Sequence, residues 1–156
     1  MRVRQRAYFR IASVLLSPDE ITRLAGVEPD SSAVKGSRPN AAGLPLPKNH
    51  LWRLESGVSE EADLESHFVA LMPRLRAGEA GFRIVTRQPE TWASLTVVRY
   101  FEPGEEDFDE ATFGLPEGSP FERLSGQHPF LGWFLDDDVV QLLASIGAAI
   151  DVDEYG

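Results

Sequence analysis

The reading of the fold turns on Ala7-Tyr8-Phe9-Arg10-Ile11-Ala12-Ser13-Val14-Leu15 and on the Ser17-Pro18-Asp19-Glu20-Ile21 that follows Leu16. In the first stretch Phe9 and Ile11 fall on one side while Tyr8 and Arg10 fall on the other. Alternation with a period of two predicts a strand. In the second, four signals agree on a helix start. Ser17 offers a capping oxygen, Pro18 suits the first helical position, Asp19 complements the helix dipole, and Glu20 completes a capping box. Ile21, Leu24 and Ala25 then form the buried stripe, and Gly26 stops the helix. A strand followed at once by a capped helix excludes an all-helical or all-strand chain.

Working outward, residues 28–49 carry Pro29, Gly36, Pro39, Gly43, Pro45 and Pro47 and are expected to form a long irregular loop. His50–Leu54 reads as a short strand. A second helix is expected from about Glu60 to Arg76, because Leu64, Phe68, Leu71 and Leu75 share one helical face. Pro73 should kink or end its last turn. Phe82–Arg87 and Ser94–Phe101 alternate like two strands. Glu102–Gln127 is an acidic loop broken by glycine and proline. Phe130–Leu135 reads as another strand. Asp136-Asp137-Asp138 open a third helix with Val139, Leu142, Leu143 and Ile146 inward and Gly147 as the stop. Ile150 and Val152 alternate with Asp151 and Asp153 in a last strand. The expected fold is a single α+β domain over residues 1–156, with a mostly antiparallel sheet and about three helices packed on one face. The length of 156 residues suits one such domain and a core that needs no staples.

Several of these pieces, in this order, resemble the DUF4279 family, small bacterial proteins of unknown function. They are Ser17-Pro18-Asp19-Glu20-Ile21-Thr22 with Gly26 and Pro29, then Lys35-Gly36, Trp52, Leu64-Glu65-Ser66-His67, and Gly147-Ala148-Ala149-Ile150-Asp151-Val152-Asp153-Glu154-Tyr155. Glu154 stands where an apolar residue is expected before the tyrosine. The resemblance implies a small α+β domain. It brings no established activity and no catalytic residues.

The charge is unevenly distributed. The net formal charge is −10. Residues 1–53 carry nine basic and four acidic groups, whereas residues 101–156 carry Arg123 alone against fourteen acids. Such a C-terminal third should repel nucleic acid and attract basic surfaces. There is no cysteine, so thiolate zinc sites, iron–sulfur clusters and cysteine nucleophiles are excluded. Met1–Arg10 is basic like the start of a signal peptide, but Arg10 interrupts the apolar stretch and Ser17–Glu20 ends it early. No apolar run approaches the length of a membrane span. The expectation is a cytoplasmic protein that meets neither membrane nor nucleic acid.

The residues that carry chemistry are sparse. His50, His67 and His128 lie far apart and in no metal-ligand spacing. No phosphate loop, dinucleotide fingerprint or nucleophile elbow is present. Asp107-x-Asp109 begins like a calcium loop, but Ala111 occupies a ligand position. No metal, no cofactor and no catalytic residue is expected. The most distinctive stretch interleaves carboxylates with aromatics: Glu102, Glu105, Glu106, Asp107, Phe108, Asp109, Glu110 and Phe113. A purely solvating tail is poor in aromatics. Charges steer a basic partner and aromatics anchor it, while the alternative is a loop whose aromatics tuck back onto the core. The leading reading is a non-enzymatic protein-binding module, specifically an immunity-type inhibitor that occludes a basic toxin or nuclease domain. The alternative is a small-ligand-binding domain with a pocket at Lys35, Arg38 and Trp52.

Overall fold

The computed structural model describes residues 2–37, 46–102 and 133–156. Its elements are β1 (Arg2–Ser13), α1 (Pro18–Ala25), β2 (Ser31–Ala33), β3 (His50–Glu55), α2 (Leu64–Thr86), β4 (Thr91–Glu102), α3 (Asp137–Ile146) and β5 (Ala149–Tyr155). The five strands form one sheet in the order β2-β3-β1-β4-β5. All neighbours pair antiparallel except β4 and β5, which run parallel. This is the α+β fold read from the sequence, with the helices packed against the sheet.

β1 is the axis of the sheet. It pairs over its whole length with β4, from Arg2 opposite Glu102 to Ser13 opposite Thr91. Its odd positions, Ala7, Phe9 and Ile11, are buried in the core. Its even positions include Arg4, Arg6 and Arg10, which by alternation point to the opposite face. There Arg4 pairs with Glu102 at 2.8 Å and Glu60 at 3.2 Å, and Arg10 pairs with Asp151 at 2.9 Å. Arg53 of β3 stacks over the Tyr8 ring at 4.2 Å.

The capping box at α1 forms as read: Ser17 Oγ accepts from Glu20 N, and the Glu20 carboxylate accepts from Ser17 N. Gly26 closes the helix in the left-handed conformation at φ 68°. Leu64, Phe68, Leu71, Leu142 and Ile146 are all buried.

The second helix differs from expectation at both ends. It begins at Leu64, where Asp63 caps Ser66 N at 2.7 Å, rather than at Glu60. It then runs through Pro73 to Thr86, so Phe82–Arg87 is not a strand. Proline in a helix interior costs about 3 kcal/mol or more. Here tertiary packing outweighs it, because the buried positions Leu71, Leu75, Gly78, Phe82 and Val85 continue the helical spacing past the proline. Phe82 is the hub of the core, with its ring 5.2 Å from Phe9 and 5.6 Å from Trp52.

Two further expectations change, and a third falls outside the described residues. Ser31–Ala33, inside the stretch read as loop, adds a short strand on β3. It is too short and polar to show alternation. Of the strand expected at Phe130–Leu135, residues 130–132 lie outside the described residues, and Trp133–Leu135 are in no strand. Trp133 and Leu135 instead pack against the core, with the Trp133 ring 6.2 Å from Phe68. Their apolar side chains serve as anchors leading into α3, not as one face of a ladder. The expected acidic loop at 102–127 lies outside the described residues beyond Glu102.

α1 and α2 meet at backbone distance. A Cβ on Gly81 would overlap the Leu24 carbonyl oxygen and stand 2.5 Å from Ala25 Cα. Alanine is the better helix former by roughly 1 kcal/mol, so propensity alone predicts that Gly81→Ala stabilises. The contact predicts the opposite sign, a loss of about 1–3 kcal/mol from overpacking. Urea denaturation decides between them, and a midpoint unchanged or raised would refute the close approach.

Candidate functional site

An apolar groove of about 480 Å³ opens between the outer side of α2 and the entry to α3. Phe68 and Val139, both nearly inaccessible, belong to the core beneath it. Val69 and Phe134 also line it and are 64% and 63% exposed. Met72 and Pro73 complete the α2 side. The rim carries Glu65, Asp136 and Asp138 against Arg76 alone, and Arg76 is engaged with Asp138 at 3.2 Å.

The geometry follows from local sequence. Val69 and Met72 sit three residues apart, beside the buried stripe of Phe68, Leu71 and Leu75, so α2 is apolar over more than its core face. Pro73 removes one helical donor there, and that stretch of backbone faces the groove. Asp136 caps α3 by accepting from Asp138 N at 3.0 Å. Three successive aspartates complement the positive end of that helix. The groove thus combines apolar surface with a negative rim.

The groove residues were partly legible. The sequence reading of Asp136-Asp137-Asp138 as a cap with first-turn charges holds: Asp136 is the N-cap and Asp138 lies in the first turn. Val69 and Met72, an apolar pair off the buried stripe, were the available signal and were missed. Phe134 was placed in a strand.

Of the residues singled out from sequence, the described ones are Glu102, Lys35 and Trp52. Glu102 ends β4 and is ion-paired with Arg4. Glu105, Glu106, Asp107, Phe108, Asp109, Glu110 and Phe113 lie outside the described residues, as does Arg38. Lys35 is exposed in a turn, and its backbone N–H donates to His50 Nδ1 at 3.1 Å. Trp52 is fully buried, and its Nε1 donates to Thr22 Oγ1 at 3.0 Å. The indole therefore belongs to the core, on a different surface from Lys35. Among the described residues no three His, Asp or Glu side chains converge as a metal site, and no helix is long and apolar enough to cross a membrane.

A family model, described as a domain of unknown function (DUF4279), matches residues 2–116. The chain belongs to the DUF4279 family. No curated protein and no solved structure matches it. Within this DUF4279 chain the match takes in β1 to β4, including the α2 wall of the groove. Phe134, α3 and β5 lie beyond it.

His67, near the start of α2, was read as an isolated histidine and is fully buried. Its Nδ1 lies 2.6 Å from Ser56 Oγ, while Nε2 has no hydrogen-bond partner among the described residues. Burial pushes the imidazole below the ordinary histidine value of 6.5, against smaller opposing effects from the Ser59 backbone, Asp63 and Glu60. Between 6.5 and the lower native value, the unfolded chain holds a proton that the native chain does not. Stability therefore falls as pH drops through that window and levels off below it. The carboxylates Asp30 and Asp63, held below their ordinary values, act only at lower pH, around 4. Urea denaturation at pH 7.5 and at 5.5 should show wild type losing stability on acidification and His67→Gln losing less. Equal losses in the two proteins would exclude His67 as the cause.

Proposed function

We propose that this DUF4279 chain is a non-enzymatic protein-binding module that engages a basic partner through an acidic surface. In its specific form it is an immunity-type inhibitor that occludes a cationic toxin or nuclease domain in the bacterial cytoplasm. The observation that carries the reading is the α2–α3 groove, where Val69 and Phe134 stand exposed beside the carboxylates of Glu65, Asp136 and Asp138. Exposed apolar side chains gathered beside a charged rim mark interaction surfaces.

Charge arithmetic supports the sign of the partner. Much of the described C-terminal acid is already matched within the fold: Glu102 by Arg4, Asp151 by Arg10, Glu154 by Arg99 and Asp138 by Arg76. Among the described residues Asp136, Asp137 and Asp153 have no cation within ion-pair distance. To these the sequence adds Glu105, Glu106, Asp107, Asp109 and Glu110. Unmatched carboxylates of one sign steer a cationic surface, and apolar anchors then slow its release. Inhibition of this kind needs no catalytic group, and its mechanism is steric occlusion. A chain without cysteine is at ease in a reducing compartment.

The test begins with capture by the purified chain from its native host and identification by mass spectrometry. Association with each purified candidate is then measured across salt concentration. The expected partner is basic, loses its activity in the complex, and associates more slowly as salt rises. Neutralising Glu105, Glu106, Asp107, Asp109 and Glu110 together should lower the association rate and flatten its salt dependence. Val69→Asp should instead raise the dissociation rate by about tenfold or more, as expected for losing an anchor. Rates unchanged by both variants at low salt would overturn the reading.

A further inference from the structure

β5 is an edge strand whose outer side is open among the described residues. Seven residues long, it carries neither lysine nor proline, two common protections of a sheet edge. It is held firmly from the inner side. Asp151 pairs with Arg10 at 2.9 Å, Glu154 pairs with Arg99 at 2.8 Å, and the Tyr155 ring stacks on Tyr100 at 5.1 Å. The register with β4 puts Ile150 opposite Leu95 and Val152 opposite Val97, on the side of the core-facing residues. Yet Ile150 and Val152 remain 44% and 41% exposed. Asp151, Asp153 and Tyr155 alternate on the other side, and Asp153 has no ion pair among the described residues. The edge is thus preorganised, partly apolar on one side and negative on the other.

We infer that β5 accepts an added strand from a partner that alternates apolar residues with lysine or arginine. Backbone pairing gives such a complex its affinity, and side chains at alternate positions give it specificity. Apolar residues of the guest extend the row of Ile150 and Val152, while a guest cation meets Asp153, since Asp151 is already held by Arg10. A second copy of this chain is the wrong occupant. In a continuous antiparallel sheet, any self-pairing that overlaps five or more of the seven residues sets an aspartate opposite an aspartate. Like charges directly opposite are destabilising. The inference uses a different surface from the α2–α3 groove and does not depend on it.

The test uses the full chain and a short capped peptide of alternating lysine and valine. Its controls are the same peptide N-methylated at alternate amides and a glycine–lysine peptide of equal charge. Amide exchange and backbone NMR shifts are read at low salt. The expected result is protection of the Ala149–Tyr155 amides by the lysine–valine peptide and by neither control. Asp153→Lys should weaken that peptide about fivefold, whereas Val69→Asp in the groove should leave it unchanged. Equal binding of the glycine–lysine peptide would mean charge attraction alone and would overturn the inference. So would protection confined to other strands, no binding at millimolar peptide, or β5 amides already protected in a dimer of the chain alone. A groove-dependent partner found alongside any of these would leave the proposed function standing.

Discussion

The structure depends on a single register, the twelve-residue pairing of β1 with β4. Side chains alternate along a strand, so a slip of one residue would exchange the two faces of β1. Phe9 and Ile11 would leave the core, and Arg4, Arg6 and Arg10 would enter it. Burying even one unpaired guanidinium costs several kcal/mol, so the register is strongly specified. Both neighbours then inherit it. β3 is placed so that Trp52 opposes Ile11 and reaches Phe82, and β4 is placed so that β5 can join its far side.

The same register explains the lopsided charge. The arginines of the first strand and the acids of the last elements sit at opposite ends of the sequence but meet across the sheet. Arg10 and Asp151 are 141 residues apart in the chain and 2.9 Å apart in space. The pairs of Arg4 and Arg10 are half-exposed and individually worth little stability, whereas the Arg99 that holds Glu154 is buried. Their consequence is rather for function. They remove Glu102, Asp151 and Glu154 from the pool of uncompensated charge. The acids toward the C-terminus therefore leave less uncompensated charge than their number suggests, while the net charge of −10 is unchanged.

How far the sequence could be read depended on how local each signal was. The capping box of α1 lies within four residues and was legible in full. So were the third helix, the last strand and the α+β class, each carried by short-range periodicity. The end of α2 was not. Phe82, Ile84 and Thr86 alternate with Arg83, Val85 and Arg87 as a strand would, and Pro73 argues for an earlier stop. The deciding fact is Gly81 lying against the backbone of α1, a contact between residues more than fifty positions apart. Direction within the sheet is equally invisible, since alternation in β5 reads the same in a parallel or an antiparallel pair. Trp52 was the reverse case. A ring read both as core and as pocket wall proves to be core, because its strand is covered by α1 and α2.

The groove was out of reach for a related reason, as its two walls come from α2 and α3 and neither is a site alone. An apolar pair such as Val69 and Met72 on an otherwise amphipathic helix is commonplace. It gains meaning only when Phe134 and an aspartate-capped helix are set beside it. The family match divides this surface unevenly, taking in the α2 wall and ending before Phe134 and α3. The matched stretch therefore contributes the strands β1 to β4, the buried histidine and one apolar wall. The segment beyond contributes the aspartates on the rim and the β5 edge. If recognition lies where unmatched charge meets exposed apolar surface, it draws on both parts of the chain: Glu65, Val69 and the acids from Glu105 to Glu110 lie within the matched stretch, and Phe134, Asp136 and Asp138 lie beyond it. The matched stretch then has the further task of holding α2 and β4 rigidly enough for the residues beyond it to find a fixed geometry.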